Sequence, residues 1–327
     1  MATSSGYKKL KVAVLMGGKS SEHEVSLKSG ENIIRSLNQD RYDILPFKIE
    51  KDGDISPIFV ALKEEKIGVA FIALHGKYGE DGVIQGILEA AGIPYTGSGV
   101  LASALGMDKI RSSELFIFHG LAVPKFFAFA HENFKKNPTS VIGRAIQEFG
   151  FPFVIKPSDG GSSVGVTIAK NTEEAKTAAQ NASHFSRSLM IQEYVRGDEV
   201  TCGVLDTENA PIALPPTQII PKTGKFFDYE AKYTKGATKE ITPPRLPEQI
   251  IKKIQDAALI AHKVLGCSGF SRTDMIVSGG TVYILETNTI PGMTETSLFP
   301  QAAKAIGISF PELLDKLIDS ALKKKRK

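Results

Sequence analysis

The sequence contains no tryptophan and only two cysteines in 327 residues. Cys202 and Cys267 each stand alone among small or apolar residues, with no CxxC pair and no metal-ligand spacing. A disulfide framework is thereby excluded, and a reducing compartment is the natural setting. No run of 18 apolar residues occurs, so no membrane-spanning helix is expected. Behind the N-terminal lysines only Val12–Met16 is apolar, too short for the core of a secretion signal. A cytoplasmic protein follows, with no membrane partner. A basic nucleic-acid surface is missing too: the net charge of +4 includes the five charges of Lys323–Lys327, without which it is −1. That tail reads as a solvated helix end, or less simply as a site for an anionic partner.

What is present belongs to a globular protein, 42% apolar and 23% charged. Its length predicts two or three domains. Residues 10–17 read as a buried parallel strand stopped by Gly17-Gly18, with a helix from about Val25 to Leu37. A strand over Val69–Leu74 and a helix behind Asp81 complete an α/β unit over 1–105, whose ligands belong beyond the carboxyl ends of the strands. Residues 106–195 read as a small α+β lid, and 196–327 as a strand-rich unit with helices at about Pro247–Leu265 and from Pro311. No internal repeat is visible.

The strongest metal candidate is a hairpin. Glu286 and Asn288 lie two apart on one strand, Arg272 and Asp274 two apart on its neighbour, so each pair shares a face. Two carboxylates and an amide oxygen are hard ligands suited to Mg²⁺; a surface hairpin with solvated charges is the bland alternative. Parity makes a demand. A regular two-residue Gly279-Gly280 turn would set Asp274 opposite Leu285 and split the ligands, so the turn must be odd in length or the ladder bulged.

Residues 159–165 hold five Gly or Ser in seven positions between strands. Such a loop lets backbone N–H groups close on a phosphate, with Lys156 adding a point charge, or is a plain flexible hairpin. Walker A and GxGxxG patterns are both absent. Glu24 at a helix start is either a dipole partner or a substrate anchor. His75 ends a strand ahead of a polar glycine loop, as a loop organiser or a ligand contact. His119, His131, His184 and His262 read as structural or solvated. The aromatics of Phe226–Tyr233 suggest a lid, with Lys232 towards phosphate, or ordinary loop anchoring.

In order, these motifs resemble the D-alanine–D-alanine ligases of the ATP-grasp superfamily. The carrying segments are GGKSSEHEVSLKSG from Gly17, HGKYGEDG from His75, PYTGSG from Pro94, Met107-Asp108-Lys109, KPSDGGSSVG from Lys156, DYEAKY from Asp228, Arg272-Thr273-Asp274 and ETNTIPGMT from Glu286. They span about residues 10–320. The resemblance implies an ATP-grasp fold with ATP between the central and C-terminal domains. It implies contacts of ATP with Lys109, Lys156, Ser162, Ser163, Phe226, Lys232 and Asn288. Gln192, Glu193 and Val195 would read adenine, where the family often has an acid in place of Gln192, and Glu199 would hold the ribose. Asp274, Glu286 and Asn288 would bind magnesium, two ions in all, with manganese able to substitute. Glu24 would take the ammonium of the first D-alanine, Ser297 the carboxylate of the second, and His75 would help to position substrate. Arg272 and the Gly292 N–H would stabilise the oxyanion. Glu24, Ser162 and Tyr233 would form a trio tying the lid to the first domain. Relatives that make D-alanyl-D-lactate typically carry Phe where Tyr233 stands, which favours an amine acceptor and D-alanyl-D-alanine as product, for peptidoglycan synthesis. A homodimer is implied. The competing readings are a ligase for another acceptor such as D-lactate or D-serine, and a nucleotide-binding regulator without turnover.

Overall fold

The computed structural model describes residues 9–52, 55–161, 164–221 and 238–324. Three sheets organise them. The first is parallel, in the order Tyr42–Ile49, Leu10–Gly17, Val69–Ile72. Its central strand has Val12, Ala13, Val14 and Leu15 fully buried, which is why it reads as an unbroken apolar run. The helix His23–Ser36 follows it. The second sheet is antiparallel, in the order Phe126–Ala130, Ser188–Glu193, Phe153–Pro157, Thr167–Ala169. Its last strand begins only at Thr167, after Gly165, whose φ is 76°.

The third sheet runs Thr238–Ile241, Thr217–Pro221, Asp198–Leu205, Phe270–Ser278, Thr281–Asn288, with Ile212–Ala213 paired beside Asp198–Leu205. The helix Glu248–Leu265 covers one face through Ile254, Ala258 and Ala261, and stops at Gly266, whose φ of 70° suits only glycine well.

Packing cuts across the sequence ranges. The helix Lys109–Phe118 buries Phe116 in the core of the third sheet, and the helices Leu298–Ala305 and Phe310–Lys323 join the core of the first. Phe310–Lys323 opens with a reciprocal Ser309–Glu312 capping box and buries Leu313, Leu314, Leu317 and Ile318 on one stripe. Among the described residues no helix is long and apolar enough to cross a membrane.

Candidate functional site

The hairpin of the third sheet resolves the parity problem by a bulge. Its turn is the regular two-residue Gly279-Gly280, with φ of 56° and 79° at the two glycines, so Ser278 faces Thr281 and Met275 faces Ile284. The register then shifts between Asp274 and Met275: Leu285 is the extra residue, and Asp274 lies opposite Glu286, with Arg272 opposite Asn288. One inserted residue thus places both carboxylates and the amide on one face.

Cations already hold these groups. Arg272 donates from Nε and Nη2 to the two Asp274 oxygens, each at 2.9 Å, while Thr201 donates to Oδ1 at 2.6 Å and Asn288 to Oδ2 at 3.2 Å. Lys109 Nζ sits 3.3 Å from Glu286 Oε2 and donates to the Gly160 carbonyl at 2.5 Å. By donor chemistry a divalent cation fits this set, since two carboxylates and an amide oxygen on one face are hard ligands. Among the described residues no three His, Cys, Asp or Glu side chains cluster as metal ligands, and the third member here is an amide.

On one side of the hairpin a cleft opens towards the second sheet. Lys109, Lys156, Gln192, Glu193, Val195 and Glu199 line it together with Asp274 and Glu286, and Val154, Ile276 and Leu285 supply apolar walls. Burial lowers the Lys156 pKa to about 8; Glu286 opposes that shift and Lys109 adds to it. The Glu193 carboxylate already accepts the Lys125 N–H at 2.8 Å, so Glu193 offers a ligand mainly its backbone. Tyr194 lines the cleft as well, and no motif had singled it out.

On the other side lies an acidic pocket lined by Glu22, His75, Glu80, Arg272, Gly292 and Ser297, among others. Glu24 is not in it. Its side chain is exposed, whereas Glu22 is 6% exposed. Helical periodicity explains the correction. Val25, Ser26, Ser29 and Ile33 form the buried stripe, and Glu22 lies one turn ahead of it. Glu24 belongs with Lys28, Glu31 and Arg35, the charged outer face. A methyl group on Gly161 would come within 2.2 Å of a Glu22 oxygen, so the glycine loop closes directly onto this acid. Glu22→Gln should lower kcat/KM for the D-amino acid substrate that the resemblance implies by about 10- to 100-fold, the loss expected for one charge-assisted contact, with Glu24→Ala within about twofold of wild type. Equal effects in steady-state assays would return the role to Glu24.

The remaining pocket groups are fixed from both ends of the chain. Glu80 accepts the N–H groups of Gly76 at 2.8 Å and Ile290 at 3.2 Å, and burial next to Glu22 raises its pKa well above the usual carboxyl range. Glu80 carried no periodic signal; the density of its loop was the available clue. Asn32 donates to the Met293 carbonyl at 2.8 Å, so the first helix clamps the 290–294 loop. Ser297 precedes the helix Leu298–Ala305, and its hydroxyl lies 2.9 Å from the Thr294 nitrogen and 2.9 Å from where a Gly292 Cβ would be. His75 is buried with Nε2 3.1 Å from Ser29 Oγ, and burial depresses its pKa below 6.5 although Glu22 opposes the shift. An unfolded histidine takes a proton below about pH 6.5 that this ring resists, so acid favours unfolding. Denaturant midpoints should therefore drop more steeply between about pH 6.5 and 5 in wild type than in His75→Gln. Parallel curves would show that the ring is not held neutral.

Ser162, Ser163, Phe226, Lys232 and Tyr233 lie outside the described residues. His262, read from sequence as structural or solvated, is buried, with Nδ1 2.7 Å from Ser271 Oγ and Nε2 3.3 Å from Asp206, on the face of the sheet away from the hairpin ligands.

Comparison with known proteins agrees with this geometry. A family model described as D-ala D-ala ligase C-terminus matches residues 115–319, and one described as D-ala D-ala ligase N-terminus matches 11–61 and 55–98. A D-alanine–D-alanine ligase of Syntrophobacter fumaroxidans is 49% identical over 96% of this chain and 98% of its own, and one from Pelotomaculum thermopropionicum is 46% identical over 96% and 97%. Among solved structures, the VanG D-Ala:D-Ser ligase of Enterococcus faecalis superposes with a TM-score of 0.82 at 35% identity, covering 96% of this chain and all of that one. The D-alanine–D-alanine ligase of Bacillus anthracis complexed with ATP gives 0.79 at 35% identity, covering 97% and 98%.

Proposed function

The chain belongs to the D-alanine–D-alanine ligase family of ATP-grasp enzymes, and on that premise we propose that it uses ATP to join two D-alanines into D-alanyl-D-alanine at the bulged hairpin. The observation that carries the reading is position: Asp274 and Glu286 face each other at the seam between a lysine-lined cleft and an acidic pocket. Nucleotide occupies the cleft, with Gln192, Glu193 and Val195 at the base, Glu199 at the ribose, and Lys109 and Lys156 at the phosphates. The amino acids occupy the pocket. Asp274, Glu286 and Asn288 would hold divalent magnesium, two ions with manganese able to replace them, which would supply charge neutralisation for the transferring phosphoryl group.

Glu22 anchors the ammonium of the first D-alanine and orients its carboxylate towards the γ-phosphate. A carboxylate oxygen bonds to that phosphorus, the bond to the β-phosphate oxygen breaks, and ADP leaves. The second D-alanine lays its carboxylate at Ser297, at the start of a helix. Its amine attacks the acyl phosphate carbon; phosphate departs with the bonding pair and the amine gives up a proton. Arg272 and the Gly292 N–H face the oxygen that gains charge, and His75, kept neutral, fixes the pocket wall.

The product serves peptidoglycan assembly in the cytoplasm. Three units, approximately 1–105, 106–195 and 196–327, share the work, with the helix Lys109–Phe118 packed on the third sheet and the helices from Leu298 on the first, and the exposed apolar Leu101, Ile117 and Phe118 on consecutive helices support a homodimer. Product analysis after incubation with Mg-ATP and D-alanine, D-serine or D-lactate is the test. D-alanyl-D-alanine as main product is expected. Exclusive formation of a mixed dipeptide or an ester would overturn the acceptor, and absence of ADP release the whole reading.

A further inference from the structure

Gln192 lies in the middle strand Ser188–Glu193, paired with Phe126 on one side and Val154 on the other. It is 2% exposed, lines the cleft, and its Nε2 has no hydrogen-bond partner among the described residues. A buried donor left unpaired is costly unless something else meets it, and this one lines the cleft. The partner has to come from what the cleft holds.

We propose that Gln192 lets the base site accept 6-oxopurine nucleoside triphosphates, such as ITP, alongside ATP. The inference rests on the cleft being the nucleotide site. A carboxylate at this position can only accept a hydrogen bond, which suits the 6-amino group of adenine and repels the 6-oxo group of hypoxanthine. A carboxamide offers both functions in one volume. Turned one way, Oε1 accepts from the 6-amino group; turned the other, Nε2 donates to the 6-oxo group. Because Nε2 has no protein partner among the described residues, the exchange breaks no bond to that nitrogen. The base-reading group is thus ambivalent where an acid would be selective.

The test compares kcat/KM for ATP and ITP at saturating D-alanine, and Kd for ADP and IDP, in wild type and Gln192→Glu. Wild type should use ITP within about 100-fold of ATP, and Gln192→Glu should raise the ATP preference by about fivefold or more, in kcat/KM and in Kd alike. A smaller rise, or poorer ITP use by wild type, overturns the inference. Should Gln192→Glu not fold, Gln192→Met serves instead, since it neither donates nor accepts. It should weaken ADP and IDP by the same factor, and selective weakening of ADP overturns the proposal. Lys156→Ala separates the two levels of argument. If it leaves both Kd values unchanged, the cleft is not the nucleotide site and both readings fall. If it weakens both nucleotides while Gln192→Glu leaves their ratio flat, only the base-site inference falls.

Discussion

Glu286→Gln lowers the rate of ADP release with D-alanine by at least about 10³-fold, with the melting temperature within a few degrees of wild type. The substitution is isosteric, so the ladder opposite Asp274 survives. What disappears is a charge facing Lys109 at 3.3 Å and opposing the loss of charge on buried Lys156. With it goes one of the two carboxylates proposed to hold a divalent cation at the phosphoryl group. Losing about 4 kcal/mol of charge stabilisation corresponds to that factor. A coupled ADP assay and a thermal melt on the same preparation decide the matter, and turnover within about tenfold of wild type would remove Glu286 from the metal site.

Arg272→Ala has nearly as large an effect for a different reason. The guanidinium clamps Asp274 with two bonds of 2.9 Å and lines the acidic pocket with the rest of its edge. Donors aimed at developing negative charge are worth about 3–4 kcal/mol, so kcat should fall by about 10²- to 10³-fold. Because that charge exists only in the transition state, kcat and kcat/KM should fall together. A rise in KM for D-alanine with kcat unchanged would make Arg272 a ground-state anchor instead. Arg272→Lys should recover little, since an ammonium cannot reproduce the bidentate clamp.

The hairpin was legible because strand parity is arithmetic: two glycines in the turn and ligands at 274 and 286 left only a bulge or an odd turn. The apolar run at 12–15 and the stripe ending in Leu317 and Ile318 were equally plain, since each buries on one side with a fixed period. The structure sets Glu22, not Glu24, against the pocket, a choice that a dipole argument valid for any acid at a helix start could not make. Extending the Val25–Ser29–Ile33 stripe back one turn selects between them. Glu80 and the 290–294 loop had no period to reveal them. Their positions depend on contacts such as Glu80 with Ile290 and Asn32 with Met293, which join residues more than 200 apart in sequence. Sequence periodicity reports faces of elements, and it is silent about which distant loop a face will meet.

The sharing of the first core with the last described helix sets a rule for how this molecule is made. Leu313, Leu314, Leu317 and Ile318 fill the same interior as Leu15 and Phe71, and Arg41 and Tyr42 reach forward to Asp315 and Asp319. As a ribosome releases the chain from its N-terminus, the parallel sheet emerges early and lacks a wall until residues 310–323 appear. Until then its apolar flank is open to water, to chaperones or to neighbouring nascent chains. Completion of the opening domain therefore waits for the synthesis of residues 310–323.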